Sequence, residues 1–140
     1  MISNSRQLET TKKQISSLRE ELQNIERSAK NKPFGKTALI QTQALIKSLQ
    51  ANVDEYEALT SKGVEAIQIN DLAELMILPM KYRIAKRMTQ EMFAKEVDIP
   101  LRTIARYEAD EYKTVSGDNL HKILSKLKTH LKILGKLQEI

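Results

Sequence analysis

The stretch Ile84–Tyr112, IAKRMTQEMFAKEVDIPLRTIARYEADEY, carries two short helical patterns with room for only a tight turn between them. Thr89 suits the N-cap of the first helix, because its hydroxyl can accept a hydrogen bond from an early helix amide. Met92, Phe93 and Val97 give that helix one apolar side at helical spacing. The first pattern therefore predicts a helix of about two turns that packs by this side.

The residues after Val97 predict a sharp turn and a second helix. Asp98 tolerates the left-handed backbone conformation that such a turn requires, and Ile99 returns the chain to the core. Pro100 suits the first turn of a helix, where its missing N–H is not needed, so we expect a helix over Pro100–Ala109. Two helices joined at a steep angle by a turn of three to four residues form a helix-turn-helix.

The second helix has two chemically different faces. Ile104 and Tyr107 can point inward, whereas Arg102 and Arg106, four residues apart, share the opposite side. Paired arginines on an exposed helix suit a DNA major groove, where a guanidinium can bind guanine O6 and N7. A merely solvated charged face is the other interpretation, and it is the commoner one for an arbitrary arginine pair.

Two groups of residues favour the DNA interpretation. The first group reads TQEMFA and comprises Thr89, Gln90, Glu91, Phe93 and Ala94. The second group closes the next helix and comprises Ile104, Arg106, Tyr107 and Glu108. Together they resemble the TQ-x-x-L-A signature and the I-x-R-W/Y-E ending of the Xre-type (lambda-repressor-like) helix-turn-helix family, over about residues 78–127.

The resemblance implies a role for particular residues. The residues expected to face base edges are Leu101, Arg102 and Arg106. The residues expected to contact phosphates are Gln90 and Thr103, and the position of Lys113 just after the second helix suits a phosphate as well. The residues expected to form an internal, structural ion pair are Arg83 and Glu108.

Two positions depart from the family pattern. Asp98 stands where the family has a glycine, which leaves the conformation of the turn open. Pro100 stands where the family has a capping serine or threonine, so we expect weaker phosphate capture at that helix start.

The composition predicts an all-α protein. The 140 residues are 41% hydrophobic and 29% charged, and only four glycines, three prolines and 4% aromatics leave little punctuation for β-structure. The absence of cysteine excludes disulfides and thiolate zinc sites, and it is compatible with a reducing cytosol. We see no membrane-spanning apolar run and no signal peptide, so we expect a cytoplasmic, nucleoid-associated protein.

Charge is concentrated in one part of the chain. From Pro79 onward thirteen lysines and arginines stand against eight acids, which accounts for the whole formal net charge of +5. A basic half suggests neutralisation of phosphates, with an affinity that falls steeply as salt rises.

The first 63 residues predict an antiparallel helical hairpin resembling a coiled coil. Apolar residues of the first helix follow a heptad seam: Leu8, Ile15, Leu22 and Ala29 on one column, with Thr11, Leu18 and Ile25 on the other. A second helix is expected from Thr37 to Ser61, after a loop at Lys30–Lys36 and before a terminating Gly63. Two helices bury such seams only in part, so we expect the hairpin to self-associate or to bind another protein.

The rest of the chain divides into three predicted segments. A connector over 64–78 carries a short helix capped by Asn70, and the apolar residues expected to dock on the following core are Leu72, Leu75, Met76 and Leu78. The helix-turn-helix domain is expected over 79–127, with a last helix capped by Ser116. A leucine-rich extension over 128–140 lacks a partner within one chain, and dimerisation is its expected use.

We find no motif for catalysis, for a metal or for another cofactor. His121 and His130 lack zinc-site spacing, and the chain contains neither a phosphate-cradling glycine loop nor a recognisable pair of catalytic carboxylates. We therefore expect a protein that is not an enzyme.

Three functional hypotheses remain. The first is a homodimeric, sequence-specific repressor that binds a palindromic operator in double-stranded DNA. Likeness to antitoxins of the host-inhibition-of-growth kind suggests a type II toxin–antitoxin operon, with a cognate toxin as partner and repression of its own promoter. The alternatives are a stand-alone prophage or metabolic repressor, and a coiled-coil protein-interaction adaptor that does not bind DNA.

Overall fold

The chain is all-α in a computed structural model that describes residues 1–28 and 33–128. Its helices are α1 (Ser5–Ser28), α2 (Pro33–Lys62), α3 (Leu72–Met76), α4 (Leu78–Ala85), α5 (Gln90–Val97), α6 (Leu101–Ala109) and α7 (Gly117–Lys128), with a 3-10 helix at Gly63–Ala66. The fold class predicted from the sequence is therefore confirmed. None of the helices within the described ranges is long and apolar enough to cross a membrane.

Two compact units divide the chain within α2, one ending at Glu57 and the other starting at Ala58. In the first unit α1 runs antiparallel to α2. Ile15 packs with Val53 in a small core, and Lys12 Nζ lies 3.5 Å from Glu57 Oε1. The seam residues around this core are only partly buried: Leu8, Ile46, Leu49 and Tyr56.

The start of α2 differs from the sequence prediction. The helix begins at Pro33 rather than Thr37. The loop predicted over Lys30–Lys36 is therefore wrong for residues 33–36, which are helical. A proline needs no amide partner in a first helical turn and therefore starts a helix there instead of interrupting one. Residues 30–32 of that loop and Ala29 of the seam lie outside the described residues. The end of α2 is as predicted, since Gly63 adopts φ +75°.

The connector also differs in detail. Asp71, not Asn70, caps α3, because its carboxylate accepts the Glu74 amide at 2.8 Å. Leu72 was expected to dock on the core but is 68% exposed, since so short a helix turns only one side inward. Leu78, at the start of the next helix, is fully buried as expected.

Helix α4 is the centre of the second unit, because it is buried along its whole length. Side chains from the end of α2 and from α4 to α7 surround one core, and those at most 2% exposed include Leu59, Tyr82, Phe93, Val97, Ile104, Ile123 and Leu127. Ser116 caps α7 as predicted, its hydroxyl accepting the Asn119 amide at 3.1 Å. Most of the extension predicted over 128–140 lies outside the described residues.

Candidate DNA interface

The first helix of the predicted motif is α5. Thr89 caps it, since its Oγ1 accepts the Met92 amide at 3.1 Å. Phe93 and Val97 are fully buried, but Met92, predicted to lie on the same side, is 53% exposed. Residues one apart lie about 100° apart around a helix, so Met92 cannot share the inward direction with Phe93.

Asp98 makes the turn in the left-handed conformation, with φ 56° and ψ 49°. The question left open by the missing family glycine is thus answered by an aspartate that adopts the same backbone region. The chain then returns at Ile99, which is 4% exposed and whose amide donates to the Ala94 carbonyl at 3.1 Å.

A lysine from α7 fastens the same turn. Lys122 Nζ donates to the Asp98 carbonyl oxygen at 2.7 Å and lies 3.5 Å from the Asp98 carboxylate. The positive charge of Lys122 is also attracted to the partial negative charge at the C-terminal end of α5. Sequence reasoning missed Lys122, because no periodicity relates residues that lie 24 positions apart.

Helix α6 begins one residue later than predicted. Pro100 occupies the N-cap itself, with φ −55° and ψ 141°, and offers no side-chain oxygen to the first helical amides. The C-terminal end of α6 is held by a buried side chain instead, since Glu108 is 5% exposed.

Arg83 of α4 and Glu108 of α6 form a buried, two-pronged ion pair. Arg83 Nε lies 2.6 Å from Glu108 Oε2, and Arg83 Nη2 donates to Glu108 Oε1 at 2.7 Å. Arg83 Nη1 donates in addition to the Met88 carbonyl at 2.9 Å. A buried charge is tolerated only when it is paired and hydrogen-bonded in this way, so the pair fixes α6 on α4.

Gln90 joins the same cluster. Its Nε2 donates to Glu108 Oε1 at 3.1 Å, and its side chain is half-buried at the first position of α5. The amide that the sequence assigned to a phosphate is therefore oriented by Glu108. An amide nitrogen carries two hydrogens, and the second can still donate outward.

Helix α6 has a buried face and an exposed face. Ile104 and Tyr107 are at most 2% exposed, as predicted from their spacing. Leu101 is 44% exposed, and Arg102 and Arg106 are both exposed. The structure thus brings the three residues predicted to read bases to the solvent side of one helix.

Arg106 rests partly on the protein. Its guanidinium carbon lies 5.5 Å from the centre of the Tyr107 ring, which is close enough for a cation–π contact. The Tyr107 hydroxyl in turn accepts from Asn119 Nδ2 at 2.7 Å. A guanidinium held by a fixed ring loses less conformational freedom on binding than a freely moving one.

The remaining predicted contacts lie beside this face. Thr103 is half-buried on α6, and Lys113 is exposed just after it. Between them Glu111 and Tyr112 both have positive φ, 57° and 62°. This double left-handed turn follows the end of the helix and places the Tyr112 ring in the core.

Tyr112 places an unusual group near the ion pair. Its ring lies 5.5 Å from that of Tyr107, and its buried hydroxyl has no hydrogen-bond partner among the described residues. Burial, and next the negative charge of Glu108, raise the pKa of this hydroxyl, so it stays neutral. No grouping of three or more potential metal ligands occurs within the described ranges.

Comparison with known proteins agrees with this geometry. The family model described as helix-turn-helix matches residues 80–134, which include α5, the Asp98 turn and α6. Searches of curated proteins and of solved structures give no match to the chain. Residues 80–134 are therefore similar to the helix-turn-helix family, in agreement with the lambda-repressor-like resemblance of the sequence.

Proposed function

We propose that the chain is a sequence-specific repressor that reads double-stranded DNA with α6. The supporting observation is the division of α6 into a buried face, with Ile104 and Tyr107, and an exposed face, with Arg102 and Arg106. The first face and the Arg83–Glu108 pair hold the helix in place. The second face carries the planar, five-donor groups that match guanine in the major groove.

The contacts divide between bases and backbone. Arg102 and Arg106 read base edges, and Leu101 offers an apolar side chain to a thymine methyl group. Gln90, Thr103 and Lys113 fix the register by contacting phosphates, which carry no sequence information of their own. Gln90 is the best prepared of these three, since Glu108 already orients its amide.

The repressor acts as a homodimer on a palindromic operator. Two symmetry-related α6 helices would then enter successive major grooves, with half-sites about one helical turn apart. Doubling the number of phosphate and base contacts also raises affinity far beyond that of one domain.

The finer proposal is that the chain is the antitoxin of a type II toxin–antitoxin operon and represses its own promoter. Its support is the resemblance of this combination, a small helix-turn-helix with an added helical unit, to host-inhibition-of-growth antitoxins. A tagged chain expressed from its native locus should then co-purify with the small protein encoded beside it. Recovery of the chain alone, or a gene that stands alone, would leave the plain repressor as the function.

A gel-shift competition tests DNA recognition itself. The labelled probe is the DNA upstream of the protein's own gene, and the competitor is random duplex of the same length at moderate salt. We expect specific binding to exceed nonspecific binding by about 10³-fold or more. If random duplex displaces the labelled probe as well as unlabelled upstream DNA does, the repressor is rejected and the coiled-coil adaptor is favoured.

A further inference from the structure

We propose that the open groove between α1 and α2 is the homodimer interface, covered by the α2 helix of a second copy in antiparallel orientation. The groove lies wholly within the first unit, and Leu22 and Ile46 are the large apolar side chains of its lining. Most of its exposed surface is apolar. An interface of this kind derives its affinity from apolar burial and its register from polar groups at the rim.

The groove is incompletely covered within one chain. Leu22 and Ile46 are only half-buried although they belong to the hairpin seams. Ile40 continues the same side of α2, seven residues before Lys47, and is 67% exposed. A two-helix hairpin leaves such a seam half open, and four helices close it.

The charges along this side of α2 identify a second copy as the occupant. Lys47 and Asp54 line the groove seven residues apart, which is about 10 Å along a helix. The midpoint between them falls between Gln50 and Ala51, which also line the groove. An antiparallel copy related by a two-fold axis at that midpoint brings each Lys47 opposite the partner's Asp54, so one pair of charges is satisfied twice.

The local contacts fit this arrangement. Lys47 has no ion-pair partner among the described residues, and Asp54 uses Oδ1 to accept from Gln50 Nε2 at 3.0 Å. The small side chain of Ala51 at the axis lets two helices approach closely. Arg19 on α1 adds a second cation at the rim of the groove.

This interface rests on the proposed function in one respect, since a repressor on a palindromic operator needs a dimer. The observations behind the interface come only from the first unit. Sedimentation equilibrium of the full chain tests it through charge reversal. Lys47→Asp sets like charges opposite each other at both ends of the interface, and so does Asp54→Lys. Each single change should weaken the dimer roughly tenfold, and the double variant K47D/D54K should restore it.

Two further variants complete the test. Lys13→Asp, the same charge change on an exposed residue of α1 that does not line the groove, should leave the dimer unchanged. Ile46→Asp should leave only monomer at concentrations where the wild type is dimeric. A monomeric wild type, single reversals without effect, or a double variant that stays monomeric would each overturn the inference.

The DNA-binding proposal and the interface proposal are tested by different outcomes. The Lys47→Asp chain keeps α6 intact and should still bind a single half-site. A wild type that is dimeric but cannot distinguish operator from random duplex would reject the repressor and leave the interface standing.

Discussion

At the scale of single residues, two buried tyrosines, Tyr107 within α6 and Tyr112 just after it, differ in the surroundings of their hydroxyl groups. Tyr107 accepts a hydrogen bond from Asn119, whereas the Tyr112 hydroxyl has no partner among the described residues. We expect Tyr107→Phe to lower the free energy of unfolding by about 1 kcal/mol. Tyr112→Phe should be neutral or raise it by up to about 1 kcal/mol, because it removes a buried polar group that lacks compensation.

Urea unfolding followed by circular dichroism measures both changes, and each tyrosine variant is the control for the other. The reverse order of stabilities would show that the Tyr112 hydroxyl is satisfied in solution.

Glu108 carries a larger stability effect. Glu108→Gln leaves the buried Arg83 without a counter-charge, so we expect the free energy of unfolding to fall by about 3 kcal/mol. Glu91→Gln is the matched control, since its partner Lys95 lies 3.7 Å away and both side chains are well exposed. The control should cost at most about 0.5 kcal/mol. Equal losses in the two variants would mean that the buried pair does not hold α6 in place.

At the scale of elements, the turn between α5 and α6 can be improved. Asp98 has a positive φ, which costs a side-chain-bearing residue more than glycine, and its carboxylate is 90% exposed opposite Lys122. Asp98→Gly should therefore stabilise the domain by up to about 1 kcal/mol, with the backbone contact from Lys122 retained. Asp98→Ala should destabilise it. Thermal unfolding of both variants gives the answer, and a more stable alanine variant would contradict this account of the turn.

The elements also show where sequence reasoning succeeds. Helical spacing correctly predicted the inward directions of Phe93, Val97, Ile104 and Tyr107, because burial of one helix face leaves a periodic record in the sequence. It erred at Met92, where an apolar residue next to the buried face was assigned to that face. Hydrophobicity alone does not distinguish the two directions.

Contacts between elements leave no such record. The hydrogen bond from Gln90 to Glu108 joins residues 18 positions apart, and its distance of 3.1 Å depends on how α5 and α6 cross. Lys81 is 5% exposed and donates to the Gln68 carbonyl at 3.1 Å, although a lysine at that position gives no sign of burial. The family resemblance could pair Arg83 with Glu108 only because the fold of the family already specifies which of its positions are in contact.

At the scale of the whole molecule, the excess of positive charge predicts how DNA affinity depends on salt. Each phosphate contact that is removed should reduce the slope of log K against log salt concentration by about one. Lys113→Ala should show this reduction. Lys13→Ala, an exposed lysine in the half of the chain without net charge, should keep the wild-type slope. Fluorescence anisotropy titrations over a salt series measure both slopes, and identical slopes would remove Lys113 from the interface.

The central claim, that α6 reads DNA sequence, is tested most directly by measuring the affinity of three variants for every single-base change in the operator. Arg102→Ala and Arg106→Ala should each cost about 1–3 kcal/mol and lose discrimination at particular base pairs. Lys113→Ala should weaken binding to all sequences alike. Arginine variants that keep the wild-type preference at every base pair, or that weaken all sequences equally, would contradict the account.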